Sequence, residues 1–172
     1  MDLKEQLAVW GFYGPRHTHT WNMLVLSHRA LERFGADEEL TIEVEYHWEN
    51  FIIRLWLYRA RVLALTKLPA IEVEAKAAIR AFDDQFTVDG VRQLKAIRDM
   101  IEHFDDYASG IGRGPATRDG ELDPWRGLSS DRFERGRFVI ERTQAFDAAV
   151  KLRSDAKSAS EAFHVTCSNL KS

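Results

Sequence analysis

The sequence predicts an all-α protein, a helical bundle of about five helices with a small β-hairpin before the last one. Three observations lead there. Apolar residues recur at spacings of three and four along most of the chain. The four prolines and ten glycines gather at a few places, where they punctuate those periods. Hydrophobic residues make up 45% and charged residues 30%, the balance of a chain that folds. A length of 172 residues suits one domain over positions 1–172, able to bury a core without disulfide or metal staples.

Residues 1–20 mix Trp10, Phe12 and Tyr13 with Gly11, Gly14 and Pro15, so an irregular N-terminal arm is expected, packing through its aromatic groups. Helical periodicity opens with Trp21, Leu24, Val25 and Leu31, and Gly35 is a natural stop. Asp37 is placed to cap a second helix over about 38–67. Its expected stripe is Ile42, Tyr46, Glu49, Ile52, Trp56, Arg59 and Leu63, widened by Phe51, Leu55 and Val62, and its length also suits a dimer interface. Pro69 ends that helix and opens a third, on which Ile71, Ala75, Ala78, Ile79, Phe82 and Phe86 share a face.

A fourth helix, capped by Thr87 or Asp89, is expected from Val88 to Tyr107, ahead of the breaker cluster Gly110, Gly112, Gly114 and Pro115. Residues 111–142 read as an exposed loop that ends in a hairpin. Phe138-Val139-Ile140 is a β-favouring run, and Glu134-Arg135-Gly136 can turn the chain. Thr143 then caps a last helix with Phe146, Ala149, Val150, Ala156 and Phe163 on one stripe.

A formal charge of -3 gives no broad basic field, so nonspecific binding of duplex DNA is not expected as the main activity. The single cysteine, Cys167, has no internal disulfide partner, which fits a reducing compartment. No apolar run approaches the roughly 20 residues a membrane span needs, and residues 1–5 lack a signal core. Cytoplasmic residence without membrane contact is the expectation.

The chemically suggestive segment is Arg98-Asp99-Met100-Ile101-Glu102-His103. On a helix at ~100° per residue, Leu94, Ile97, Met100 and Ile101 gather on one side. Arg98, Asp99, Glu102 and His103 share a polar sector on the other. Arg98 faces Glu102 and Asp99 faces His103 at i,i+4, so Asp99 is positioned to orient the imidazole. A solvated face with ordinary ion pairs explains the same spacing.

Arg98, polar Asp99 and His103 match the Arg-x4-His pattern of the HEPN superfamily, and the chain resembles that superfamily in carrying the motif late in its fourth helix. More narrowly, the run from Leu94 to Tyr107 with Gly110 and Arg113 is similar to a group of bacterial helical proteins that have no assigned activity. The HEPN resemblance implies a metal-independent endoribonuclease acting in a defence or toxin-antitoxin context. His103 would be the general acid or base, Arg98 the phosphate grip and Asp99 the residue that fixes the imidazole tautomer. Glu102, Arg113 and Arg118 would be substrate-binding. It also implies a homodimer whose composite site joins two motif helices across a twofold axis. Asp105, where toxin-type members often carry tyrosine, departs from their pattern.

The alternative is a noncatalytic dimeric helical module that binds a protein, a nucleotide or RNA. A carboxylate-bridged metal site needs two Glu-x-x-His pairs, and Glu161 with His164 supplies one. His17, His19 and His28 lack zinc-ligand spacing, so no metal and no cofactor are expected. Trp48 and Trp56 read as core or interface anchors, not as base-stacking platforms.

Overall fold

The computed structural model describes residues 1–34, 42–103, 128–135 and 138–169, without the side chains of residue 3 and residues 166–169. Among them are five α-helices and two small antiparallel hairpins: α1 (Leu3–Leu31), α2 (Ile42–Ala64), α3 (Glu72–Asp84), β1 (Thr87–Val88), β2 (Val91–Arg92), α4 (Gln93–Glu102), β3 (Arg132–Arg135), β4 (Phe138–Glu141) and α5 (Arg142–Asn169). The all-α bundle with a hairpin before its last helix is therefore what the chain forms. No helix among the described residues is long and apolar enough to cross a membrane.

The irregular arm expected over residues 1–20 is instead the first half of α1. A reciprocal capping box starts the helix: Asp2 accepts from the Glu5 N–H at 2.8 Å, and Glu5 accepts from the Asp2 N–H at 2.7 Å. Pro15 lies inside the helix, where it removes one backbone donor. Tertiary packing offsets that cost. Trp10 packs on Phe163 of α5 and lies beside Gly14 on its own helix.

α2 is the central helix, packed by α1, α3, α4 and α5. Its buried stripe is Val44, Trp48, Phe51, Ile52, Leu55, Tyr58, Arg59 and Val62. This corrects the expected stripe. Ile42, Tyr46 and Leu63 are 80%, 60% and 41% exposed, so of the expected stripe Ile52 and Arg59 are buried, together with the flanking Phe51, Leu55 and Val62. The anticipated cap Asp37 and stop Gly35 lie outside the described residues.

Arg59 is buried because it is paired: its Nε and Nη2 donate to the two carboxylate oxygens of Asp83 at 2.5 Å each, tying α2 to the end of α3. Pro69 opens a short 3-10 turn, Pro69–Ile71, that leads into α3, whose predicted face of Ile71, Ala75, Ala78, Ile79, Phe82 and Phe86 is buried throughout. That face meets α5, where Ala145, Ala149, Leu152, Ala156, Ala159 and Phe163 are buried at spacings of three and four. Small side chains let the two backbones approach closely. Val150, expected on the α5 stripe, is exposed, and α5 begins at Arg142, one residue before the anticipated cap.

The fourth helix does not start at Val88. Asp89 and Gly90 have φ of 51° and 76°, the positive pair that a two-residue hairpin turn demands, and they join β1 to β2 with Val88 opposite Val91. The helix follows at Gln93 and ends at Glu102, short of the expected Tyr107. His103 has left the helical basin, with φ -127° and ψ 38°. Residues 104–127, which hold most of the expected loop, lie outside the described set.

The second hairpin pairs Phe133 with Ile140 and Arg135 with Phe138. Phe133, Phe138 and Ile140 point into the core. Polar ties hold it as well: Trp48 Nε1–H donates to the Ser129 carbonyl at 2.5 Å, Arg135 to Glu45 at 2.8 Å, and the Val139 N–H to the side-chain oxygen of buried Gln93 at 2.9 Å.

Removing one partner of a buried ion pair leaves a charge without compensation. Asp83→Ala is expected to cost about 3 kcal/mol or more in urea unfolding, and more than Arg59→Met combined with Asp83→Leu. Gly90→Ala, strained at its positive φ, is expected to cost about 1 kcal/mol. Unchanged unfolding midpoints in Asp83→Ala would contradict the pairing.

Candidate functional site

Arg98 lies in the penultimate turn of α4. Its guanidinium carbon stands 4.9 Å from the centre of the Trp56 ring on α2, and the side chain is 18% exposed. Two carboxylates bracket it. Nη1 donates to Glu102, one turn on, and Nη2 lies 3.1 Å from an Asp99 oxygen. Nε is shielded from solvent and has no hydrogen-bond partner among the described residues. Asp99 also accepts from Lys95, so its carboxylate is engaged from both directions along the helix.

His103 is exposed at the end of α4, and its backbone N–H donates to the Asp99 carbonyl at 3.0 Å. The structure thus brings Arg98, Asp99 and Glu102 into one charge cluster, with His103 at the helix end beside it. Arg113 and Arg118, expected to add phosphate contacts, lie outside the described residues.

Sequence reasoning missed Trp56 as the surface on which Arg98 rests. The two residues are far apart in the chain, and nothing in local spacing joins them. Arg59 approaches the same indole at 5.1 Å, so two guanidinium groups attend one ring. Both gain from its quadrupole, by about 0.5–1 kcal/mol each where partly exposed.

Two clefts of about 530 and 540 Å³ open elsewhere. The first, between α3 and α5, has Phe82, Ala148 and Leu152 for its apolar part and Gln85, Asp147 and Lys151 at its polar part. The second runs beside Arg59, Arg80, Asp83 and Arg92. Neither is lined by Arg98 or His103. Arg98 is largely covered, whereas Glu102 and His103 are exposed at the end of α4.

The histidines the zinc reading would use have other roles. His28 is buried, stacked on Phe146 with centroids 3.9 Å apart, and its Nε2 lies 3.2 Å from Arg142 Nη1. Arginine only donates, so Nε2 accepts and the proton sits on Nδ1. Burial, ahead of the field of Arg142, holds this imidazole below its ordinary value. His17 packs against Tyr58 at 4.9 Å. The His17 Nε2 and the Tyr58 hydroxyl are both shielded, with no hydrogen-bond partner among the described residues. Among the described residues no group of three or more His, Cys, Asp or Glu side chains is arranged to hold a metal ion, and Glu161 with His164 forms no such group.

Comparison of the chain with protein-family models, with curated proteins and with solved structures finds no match.

Burial first, and the charge of Arg153 second, push His17 down to about 4 from 6.5. A base depressed in the fold favours folding in its neutral form. Its contribution is complete above pH 6.5 and is lost as pH falls towards 4, at about 1.4 kcal/mol per unit. Urea unfolding at pH 7 and pH 5 is expected to show His17→Phe losing about 2 kcal/mol less than the unaltered chain over that interval. Parallel losses would contradict a neutral, buried His17.

Proposed function

We propose that the chain is a HEPN-like, metal-independent endoribonuclease whose working face is the end of α4. The observation that carries this reading is Arg98, held over Trp56 with His103 at the exposed end of the same helix. A preorganised guanidinium loses little freedom on gripping a phosphodiester, and its planar fork matches two phosphate oxygens. His103 then stands where an imidazole can exchange protons with the 2′-hydroxyl or the leaving oxygen.

In that reaction the 2′-oxygen attacks the adjacent phosphorus and its proton passes to one imidazole. The bond to the 5′-oxygen breaks, that oxygen receives a proton from a second imidazole, and a 2′,3′-cyclic phosphate forms. One chain supplies a single motif histidine, so the complete site calls for two copies across a twofold axis. Arg98 must exchange Glu102 for the substrate phosphate, which makes Glu102 a competitor that sets how readily the anion enters.

One observation favours the second reading, a noncatalytic module that binds a protein, nucleotide or RNA. Both terminal nitrogens of Arg98 are already engaged by Asp99 and Glu102 without a ligand. Chelator-treated protein incubated with single-stranded and structured RNA separates the two. The nuclease reading expects 2′,3′-cyclic phosphate ends and a fall of about 100-fold or more in both His103→Ala and Arg98→Ala. Cleavage surviving both substitutions would refute this site, and RNA retained without cleavage would favour the binding module.

A further inference from the structure

The outer face of α2 is the most unusual surface among the described residues. Positions 42, 46, 49, 53, 56, 60 and 63 alternate steps of four and three along the whole helix, the spacing of a coiled-coil seam. They carry Ile42, Tyr46, Glu49, Ile53, Trp56, Ala60 and Leu63, and Leu57 lies on the same arc. Ile42 and Tyr46 are largely exposed; Ile53, Trp56, Leu57 and Ala60 are half-buried. None belongs to the buried stripe that faces the core.

The flanks of this face are set by neighbours already described. α1 borders one side, through Trp21 and His17 against Tyr58; α4 borders the other, through Arg98 against Trp56. Between them runs a mainly apolar face with Glu49 within it and Glu45, paired with Arg135, at its edge. Solvent-facing helix surfaces are ordinarily polar, and an apolar strip of this length marks an interaction site.

The charges beside the strip say what fits it. Glu43, Glu45 and Glu49 lie in the N-terminal half of α2, where Glu45 is paired with Arg135 and Glu43 lies 3.9 Å from His47, and Arg54 and Arg61 lie in the C-terminal half. Such a helix is complementary to a copy of itself running the opposite way. Place a twofold axis at Ile53, and Glu43, ten residues before it, comes level with Arg61 of the second copy, eight residues after it. The axial difference is ~3 Å at 1.5 Å per residue. Both lie at ~80° from Ile53 around the helix, on the α1 side, so the pair closes twice. Glu49 comes level with the second copy's Trp56 and the Arg98 resting on it. Arg61 Nε is also shielded, without a hydrogen-bond partner among the described residues.

We infer that the chain self-associates through the outer face of α2, antiparallel about Ile53, with a second copy as the occupant and Glu43–Arg61 pairs at both ends of the contact. This supplies the second copy that the composite site calls for, and in that respect rests on the nuclease reading. The interface itself is argued from α2 alone. Because Arg98 stands on Trp56, the same contact carries both Arg98 residues to the rim of one joint surface.

Sedimentation of the full chain over a dilution series tests this without RNA, so its failure is distinct from a failure of cleavage. The expected mass is twice the 19.8 kDa of one chain. Ile53→Asp faces two like charges across the axis and is expected to give monomers at every concentration, with a melting temperature that no longer depends on protein concentration. Glu43→Arg and Arg61→Glu are each expected to weaken association about tenfold or more, and the double exchange to restore it. Glu43 is exposed, so its variant reads association even where Arg61→Glu disturbs folding. Ile53→Cys in a Cys167→Ser background is expected to cross-link on oxidation. A single-chain mass at every concentration would overturn the inference. So would a dimer insensitive to Ile53→Asp and to Glu43→Arg.

Discussion

Burial of the inner face of α2 is the constraint on which the remaining structure depends. Trp48, Phe51, Leu55, Tyr58 and Val62 are fully enclosed, and each neighbour packs against some part of that row. Large aromatic side chains each remove some 150–250 Å² from water, so losing this face would remove the largest contribution to folding. Two of its polar groups are satisfied, the Trp48 N–H by the Ser129 carbonyl and Arg59 by Asp83, while the Tyr58 hydroxyl is shielded with no hydrogen-bond partner among the described residues. Fixing the inner face also fixes the outer one. With Leu55 and Tyr58 held inward, Trp56 has to emerge beside α4, where Arg98 meets it.

The electrostatics at Arg98 are finely opposed. The indole face and two carboxylates favour the guanidinium in place, while a shielded Nε leaves one donor unused. A phosphate would have to displace Glu102 without dislodging the ring contact. This is an exchange of one exposed charge-assisted bond for another, and its cost is small beside the two parallel hydrogen bonds of a bidentate phosphate grip. The nearby Arg59 takes no part in such an exchange, being held by Asp83.

The bundle was legible in the sequence because its apolar periods are long and its hairpin run is β-branched. The face of α3, from Ile71 to Phe86, could be read residue by residue. Elsewhere local signals misled for identifiable reasons. Gly11, Gly14 and Pro15 read as breakers, yet the Asp2–Glu5 capping box and the docking of Trp10 on Phe163 carry the helix through them. On α2 both faces are apolar, so periodicity alone selected a stripe rotated away from the core. Asp89-Gly90 is a strong hairpin signal that a helix-capping reading overrode. Of the site, the i,i+4 pairing of Arg98 with Glu102 follows from spacing, whereas Trp56 comes from a helix forty-odd positions upstream and no local pattern could join it.

The most direct test of the reading of α4 is magnetic resonance of the labelled chain titrated with a short RNA whose 2′-hydroxyls are methylated, which can bind but cannot be cleaved. Grip of a phosphodiester at Arg98 predicts saturable shifts of the Arg98 Nε–H and Trp56 indole N–H signals together with the His103 ring. Binding that leaves all three in place, or no binding at all, would contradict it.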